Sequence, residues 1–184
     1  MIIELKTERL LLRQWNAADF DAFATMNNDP EVMEFYPSLL SNSESNDLAC
    51  RFQQLIADKG WGMWAVERLS DGVFIGFVGL HEPNFDLPVS PCVEIGWRLS
   101  RLSWGEGYAT EAANRVLDFA FHDLSLDCVY SFTSVGNLRS RAVMERIGMV
   151  NTGNNFNHPM LPEGHALSEH VLYKTCNPTA VNSI

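Results

Sequence analysis

Residues 101–111 read Arg101-Leu-Ser-Trp-Gly-Glu-Gly-Tyr-Ala-Thr-Glu111, a glycine-rich stretch between two segments of different periodicity. Before it, residues 93–99 largely alternate between apolar and charged side chains, which is typical of a strand. After it, apolar residues recur every three or four positions over residues 108–121, which predicts a helix packed on a sheet. A glycine-rich turn that opens a helix leaves unpaired N–H groups at a positive helix end. The stretch therefore favours binding of a phosphate or pyrophosphate, with an ordinary strand-to-helix loop as the alternative.

Details of the turn distinguish it from other phosphate-binding motifs. Gly105 and Gly107 lack a Cβ, so a ligand can approach the backbone. A dinucleotide fingerprint needs a third glycine and a distant acidic residue after a second parallel strand, and a P-loop needs Gly-Lys-Ser/Thr; neither pattern is present. Glu111 and Arg115 are spaced to form an i,i+4 ion pair, which supports the predicted helix.

The composition is that of one globular domain. The chain has 184 residues, a hydrophobic fraction of 46% and a net charge of −10. The negative charge argues against a nucleic-acid partner, and the start of the chain resembles neither a membrane span nor a signal peptide. The cysteines are scattered without metal-binding spacing, so they are expected to be reduced thiols of a cytoplasmic protein. They are Cys50, Cys92, Cys128 and Cys176.

The rest of the chain predicts a mixed α/β fold. Ser70-Asp-Gly72 is typical of a hairpin turn, and Gly148 is expected to end the last helix. Predicted helices cover residues 17–28, 43–58, 107–122 and 137–147. Predicted strands cover residues 3–13, 62–69, 73–81, 92–99, 127–133, 148–153 and 168–175.

Several motifs, in order along the chain, resemble those of the GNAT superfamily of acyl-CoA-dependent N-acetyltransferases. Residues 104–112 are similar to its pyrophosphate loop, and the nearest branch includes the ribosomal-protein N-terminal alanine acetyltransferases. The resemblance implies a mostly antiparallel central sheet with one splayed strand pair, flanked by helices. It implies one domain at 1–176, and residues 177–184 at the chain terminus are expected to form a flexible tail. The other motifs are Thr7-Glu-Arg-Leu-Leu-Leu-Arg13, Asn28-Asp-Pro-Glu-Val32, Ile75-Gly-Phe-Val-Gly79, Val93-Glu-Ile-Gly-Trp97, Asn137-Leu-Arg-Ser140 and Glu145-Arg-Ile-Gly-Met149.

The resemblance also implies acetyl-CoA as co-substrate, held where the fourth and fifth strands of the family separate. Gly96 suits this separation, because a glycine within a strand marks a bulge or a close backbone approach; the alternative is that it makes room for a neighbouring side chain. Trp104 replaces the glutamine or arginine of most members, which leaves binding mainly to the backbone. The residues implied to hold acetyl-CoA are Ile95, Gly96, Trp97, Gly105, Glu106, Gly107, Tyr108, Ala109, Thr110 and Asn137.

Two side chains are predicted to serve the chemistry, which is attack of an amine on a thioester. Glu94 is the candidate general base, directly or through water, because a protonated amine must lose a proton. The alternative is a solvated charge paired with Arg98. Many members of the superfamily have a tyrosine at the position of Met144 to protonate the leaving thiolate. Resemblance to the narrower branch gives this role to Ser140, which can also make a local hydrogen bond, and Asn137 is also a candidate helix cap.

Tyr36, Trp64 and His165 are predicted to contact the acceptor, although aromatic side chains more often belong to a core. No histidine spacing matches a zinc site, so no metal is expected. We predict an N-acetyltransferase for a small amine or a protein N-terminus, acting by direct attack in a ternary complex. It is expected to be a monomer or homodimer without nucleic-acid or membrane partners. A catalytically silent acyl-CoA sensor of the same fold is the main alternative, and an ATP- or NAD-binding protein is a remoter one.

Overall fold

The computed structural model describes residues 2–178, which fall into two compact units. The first unit comprises Met1–Leu80 and Gly96–Val116, and the second comprises His81–Ile95 and Leu117–Ile184. The described residues contain nine strands and four α-helices, so the predicted mixed α/β class is confirmed.

In the first unit the strands are neighbours in chain order. They are β1 (Leu5–Lys6), β2 (Leu10–Arg13), β3 (Met63–Arg68), β4 (Val73–His81) as far as Leu80 and the part of β5 (Glu94–Leu99) that starts at Gly96, and β1 to β4 pair antiparallel. Its helices are α1 (Asp19–Asn27), α2 (Asn42–Lys59) and the first part of α3 (Tyr108–His122), which follows a 3-10 turn (Arg101–Ser103). The hairpin predicted at residues 70–72 joins β3 to β4.

The helix starts and the core of this unit follow from local chemistry. The Ser41 Oγ accepts from the Glu44 N–H at 3.3 Å, and the Glu44 carboxylate accepts from the Ser41 N–H at 2.8 Å, which caps α2. The fully buried Trp15 donates from Nε1 to the Met63 carbonyl at 2.7 Å. Its ring packs against four others, those of Phe23, Phe52, Phe74 and Phe77.

The single strand predicted over residues 3–13 is wrong, because the chain turns back within it. The Thr7 N–H donates to the Leu10 carbonyl at 2.9 Å, and the Leu10 N–H donates to Thr7 Oγ1 at 2.9 Å. This turn separates β1 from β2 and places Leu5 opposite Leu12.

The second unit is built around the last strand. It contains β6 (Cys128–Ser134), α4 (Leu138–Arg146), β7 (Val150–Asn151), β8 (Phe156–Asn157) and β9 (Glu169–Cys176). β9 pairs antiparallel with β6, β7 and β8, and Glu94 at the start of β5 pairs parallel with Tyr130 of β6. The strand predicted at 148–153 shortens to β7, and β8 was not predicted.

One pair of cysteines is oxidised. Cys128 and Cys176 lie opposite each other on β6 and β9, with their Cα atoms 4.0 Å apart, and form a disulfide. The prediction of reduced thiols is therefore wrong for this pair, because the register of two strands, not local spacing, brings the sulfurs together. Cys50 and Cys92 are free.

The end of the second unit is anchored through Asn177, whose N–H donates to the Asp127 carbonyl at 2.8 Å. Residues 179–184 of the predicted flexible tail lie outside the described residues. Over residues 2–178, no helix has the length and apolar character needed to cross a bilayer.

Candidate functional site

Both glycines of the glycine-rich turn adopt a left-handed backbone conformation. Gly105 and Gly107 are exposed and have φ angles of +80° and +79°, in the left-handed region that favours glycine. The Glu111 N–H donates to the Gly107 carbonyl at 3.0 Å, so the N–H groups before it lie at the open end of the helix. Trp104 supports the turn by donating from Nε1 to the Leu99 carbonyl at 2.9 Å. Exposed N–H groups at a positive helix end suit a phosphate.

An arginine that the sequence analysis missed lies beside this turn. A Cβ added to Gly107 would be 3.7 Å from Nη2 of Arg9. The Glu111 carboxylate accepts from Arg9 Nε and from Thr7 Oγ1, each at 2.6 Å. In residues 2–178 no ion pair joins Glu111 to Arg115, so that predicted pair is wrong. The register of the first strands supplies the partners instead, and it brings a positive charge to the loop.

Glu94, the candidate base, is buried where β5 begins. It is 7% exposed, and its Oε2 lies 3.2 Å from Nε2 of His81, the last residue of β4. This burial rules out the alternative of a solvated charge on a polar strand face. His81 is not predictable from the sequence, because nothing in the local pattern distinguishes it from other histidines.

Burial changes the proton affinity of both groups. It raises the pKa of Glu94 well above its usual value and lowers the pKa of His81 to about 4. At neutral pH His81 is therefore uncharged, and Glu94 is a stronger base than an exposed carboxylate. A neutral imidazole can donate from Nε2 to an ionised carboxylate or accept there from a protonated one. The pair can thus hold Glu94 in place with or without its proton.

We expect Glu94→Gln to stabilise the protein near pH 8 but not near pH 4. The raised pKa of Glu94 means that the folded state prefers the protonated carboxyl. Its stabilising contribution is fully present below the usual value of 4.5 and is lost as the pH rises through the folded pKa. Glutamine resembles the protonated form at every pH. Thermal unfolding of both proteins across this range checks the prediction, and a difference that does not vary with pH would contradict it.

Asn137 and Ser140 occupy the start of α4. Asn137 Oδ1 accepts from the Ser140 N–H at 3.2 Å, which confirms the predicted cap, and its Nδ2 donates to Thr133 Oγ1 at 2.9 Å. Ser140 is half-buried. Met144 is 1% exposed. A tyrosine introduced there would enter the core.

The three predicted acceptor contacts differ in exposure. Tyr36 is 36% exposed, and its ring covers the guanidinium of Arg98. His165 is half-buried in a turn, where its Nδ1 accepts from the Leu167 N–H at 3.1 Å. Trp64 is fully buried and donates from Nε1 to the Ile3 carbonyl at 2.8 Å, so it belongs to the core and not to a cleft.

Three of the residues predicted to hold acetyl-CoA are consecutive in β5. Ile95 is fully buried, whereas Gly96 and Trp97 are half-buried. A Cβ added at Gly96 would meet only Met63 Cε, at 3.4 Å. The space beside Gly96 is therefore bordered by a flexible side chain and not by another backbone segment. Glu106, Tyr108, Ala109 and Thr110 complete the loop and the first turn of α3. No group of ligands able to hold a metal occurs within residues 2–178.

Comparison with known proteins identifies similar chains. Residues 9–150 match a family model described as an acetyltransferase (GNAT) domain. The uncharacterized protein YkkB of Bacillus subtilis (strain 168) is 32% identical over 149 residues, which cover 79% of this chain and 84% of YkkB. Among solved structures, a ribosomal-protein alanine acetyltransferase from Vibrio fischeri has 18% identity and a TM-score of 0.74, covering 96% of this chain and 97% of that one. A spermidine N-acetyltransferase from Vibrio cholerae, in complex with CoA and spermine, has 22% identity and a TM-score of 0.72, covering 96% and 100%.

Proposed function

This chain belongs to the GNAT family of acetyltransferases, and we propose that it transfers an acetyl group from acetyl-CoA to a primary amine by direct attack in a ternary complex. The observation that carries the proposal is the buried Glu94–His81 pair, with 3.2 Å between Oε2 and Nε2. A buried carboxylate costs folding free energy unless it is paired, and its raised proton affinity serves a base. A silent acyl-CoA sensor has no need of such a group.

The proposed proton path begins at the acceptor ammonium. Glu94 takes one proton, and the freed nitrogen attacks the thioester carbonyl carbon. The C–S bond then breaks, the nitrogen gives its second proton to water as the amide forms, and the thiolate takes a proton from water. His81 is a positioning residue in this scheme, because a pKa of about 4 makes its imidazole a weak base at neutral pH.

Backbone groups of the glycine-rich turn are proposed to bind the pyrophosphate of acetyl-CoA. Support comes from the positive φ angles of Gly105 and Gly107 and from the helix that starts at Tyr108. Arg9 adds a cation beside the same turn. The proposed pyrophosphate contacts are Gly105, Glu106, Gly107, Tyr108, Ala109 and Thr110. The proposed contacts of the pantetheine arm are Ile95, Gly96 and Trp97 of β5 and Asn137.

Ser140→Ala is expected to lower turnover by about 10–100-fold, on the order of 1.4–2.7 kcal/mol of barrier. A serine hydroxyl is a weak acid, so its proposed role is a hydrogen bond to the departing sulfur while water supplies the proton. Thiol release with a verified acceptor measures the effect. Ser43→Ala is the control, since Ser43 is an exposed serine in the first turn of another helix. Wild-type turnover of Ser140→Ala would show that solvent alone protonates the thiolate.

The proposed acceptor is a protein N-terminus or a small amine. The Vibrio fischeri and Vibrio cholerae proteins are named for one acceptor of each kind. Thiol release from acetyl-CoA, measured with a panel of small amines, tests the second class, and intact-protein mass spectrometry of ribosomal proteins tests the first. Acetyl-CoA binding without transfer to any acceptor would favour the silent sensor. Tighter binding of ATP or NAD than of CoA would favour a nucleotide-binding protein.

Location and assembly remain predictions from the sequence. We propose a cytoplasmic protein that acts as a monomer or homodimer, with no nucleic-acid or membrane partner; the Cys128–Cys176 disulfide means that cysteine usage does not support the location. Cell fractionation and sedimentation of the purified protein test these points.

A further inference from the structure

Arg98 is a buried cation in the second half of β5. The residue is 9% exposed, and its Nη1 donates to Asn27 Oδ1 at 2.6 Å. Its guanidinium carbon lies 4.0 Å from the ring centre of Tyr36 and 5.4 Å from that of Phe77. These partners are an amide and two aromatic faces, and none of them carries a negative charge.

The charge of Arg98 is not neutralised by the protein in residues 2–178. No carboxylate there forms an ion pair with it, and its Nε is buried without a hydrogen-bond partner. Buried guanidinium groups are normally paired with an anion, because burial removes the water that solvates them. A purely structural arginine would be expected to direct Nε at a protein acceptor.

The N–H groups of Arg98 that have no partner indicate which kind of anion they could bind. Nη1 is occupied by Asn27, so Nε and Nη2 form the remaining edge of the guanidinium. Two parallel N–H groups on one edge match the two oxygens of a carboxylate. Tyr36, which covers one face of the guanidinium, is 36% exposed, so this part of the unit borders solvent.

We propose that Arg98 binds a carboxylate carried by the acceptor, which makes the acceptor an amino acid or a similar amine with an anionic group. This inference rests on the proposed acetyl transfer. Tyr36, predicted from the sequence as an acceptor contact, is in this arrangement the ring stacked on the binding arginine.

The test compares each of the common L-amino acids with its carboxamide, which keeps the amine and removes the negative charge. We expect thiol release from acetyl-CoA to be at least about tenfold faster with the acids at low concentration, judged by kcat/KM. Arg98→Met should lower kcat/KM for the acids by about 10²–10³-fold, because a bidentate charged contact is lost. The same substitution should change kcat/KM for the carboxamides, and the KM for acetyl-CoA, by less than about threefold. Arg98→Lys keeps the positive charge but not the two parallel N–H donors. Its kcat/KM for the acids should lie between those of the wild type and Arg98→Met.

Controls separate a binding role from a structural one. Arg51→Met removes an exposed arginine of α2 and should leave all these rates unchanged. Equal losses for acids and carboxamides in a folded Arg98→Met protein would overturn the proposal, as would equal rates for acids and carboxamides in the wild type. A loss of acetyl-CoA affinity would assign Arg98 to the coenzyme anion and overturn it too.

A second measurement separates failure of the proposed acetyl transfer from failure of the carboxylate site. If no amine releases thiol, calorimetric titration of the wild type and Arg98→Met with the same amino acids still decides the role of Arg98. Saturable binding that Arg98→Met abolishes supports a carboxylate site without catalysis. Absence of binding to the wild type overturns the site.

Discussion

Glu94→Gln is expected to lower turnover by about 10²–10⁴-fold at neutral pH while leaving acetyl-CoA binding nearly unchanged. Glutamine keeps the size of the side chain and can still accept from the imidazole of His81, but it cannot take a proton from the acceptor. The loss should shrink as the pH rises, because a larger fraction of the amine is then already deprotonated. Thiol release as a function of pH, together with titration of acetyl-CoA, measures both quantities.

The matched control for this variant is Glu4→Gln, which removes an exposed carboxylate near the start of the chain. Its turnover should equal that of the wild type. A loss of only a few fold in Glu94→Gln that does not vary with pH would remove Glu94 as the base. The stability change described for the same substitution would remain, since it depends on burial and not on catalysis.

The regular elements of this fold are predictable from sequence because their signals are local. The apolar run of residues 73–81 after the hairpin turn predicts β4 with the observed bounds, and the spacing of apolar residues predicts α3 to within one residue. The first strand fails for an equally local reason that periodicity does not register. The Thr7 hydroxyl accepts from the Leu10 N–H and turns the chain back between two apolar segments.

The contacts that local patterns do not predict join distant parts of the chain. Glu111 and its Thr7 partner are 104 residues apart, and Cys128 and Cys176 are 48 residues apart. His81 meets Glu94 across a loop that has no periodic pattern. Such pairs depend on strand register and packing, so a motif identifies one member and only the fold identifies the other.

Burial is the second property that the sequence did not reveal. Alternation along β5 leaves open a solvated polar face that carries Glu94 and Arg98. Both residues are instead at most 9% exposed. Their chemistry follows from that burial, because desolvation makes Glu94 a stronger base and leaves the charge of Arg98 in need of an anion.

Gly107→Val is expected to weaken acetyl-CoA binding by about 5- to 150-fold. The φ angle of Gly107 is +79°, a conformation in which a β-branched residue is strained by roughly 1–3 kcal/mol. The turn should relax to another backbone conformation, and its N–H groups would no longer converge on a pyrophosphate. Restoring the binding conformation then costs the same free energy, which appears as lost affinity. Calorimetric titration with acetyl-CoA measures this loss.

A matched glycine distinguishes loss of the binding conformation from general strain. Gly153 has a φ angle of +74° in an exposed turn, and a Cβ there would meet nothing within 4 Å. Gly153→Val should therefore lower the thermal midpoint by an amount similar to Gly107→Val but leave acetyl-CoA affinity unchanged. Unchanged affinity in a folded Gly107→Val protein would show that the pyrophosphate binds elsewhere. Equal affinity losses in both variants would mean that strain anywhere in the chain weakens binding, and the turn would lose its special role.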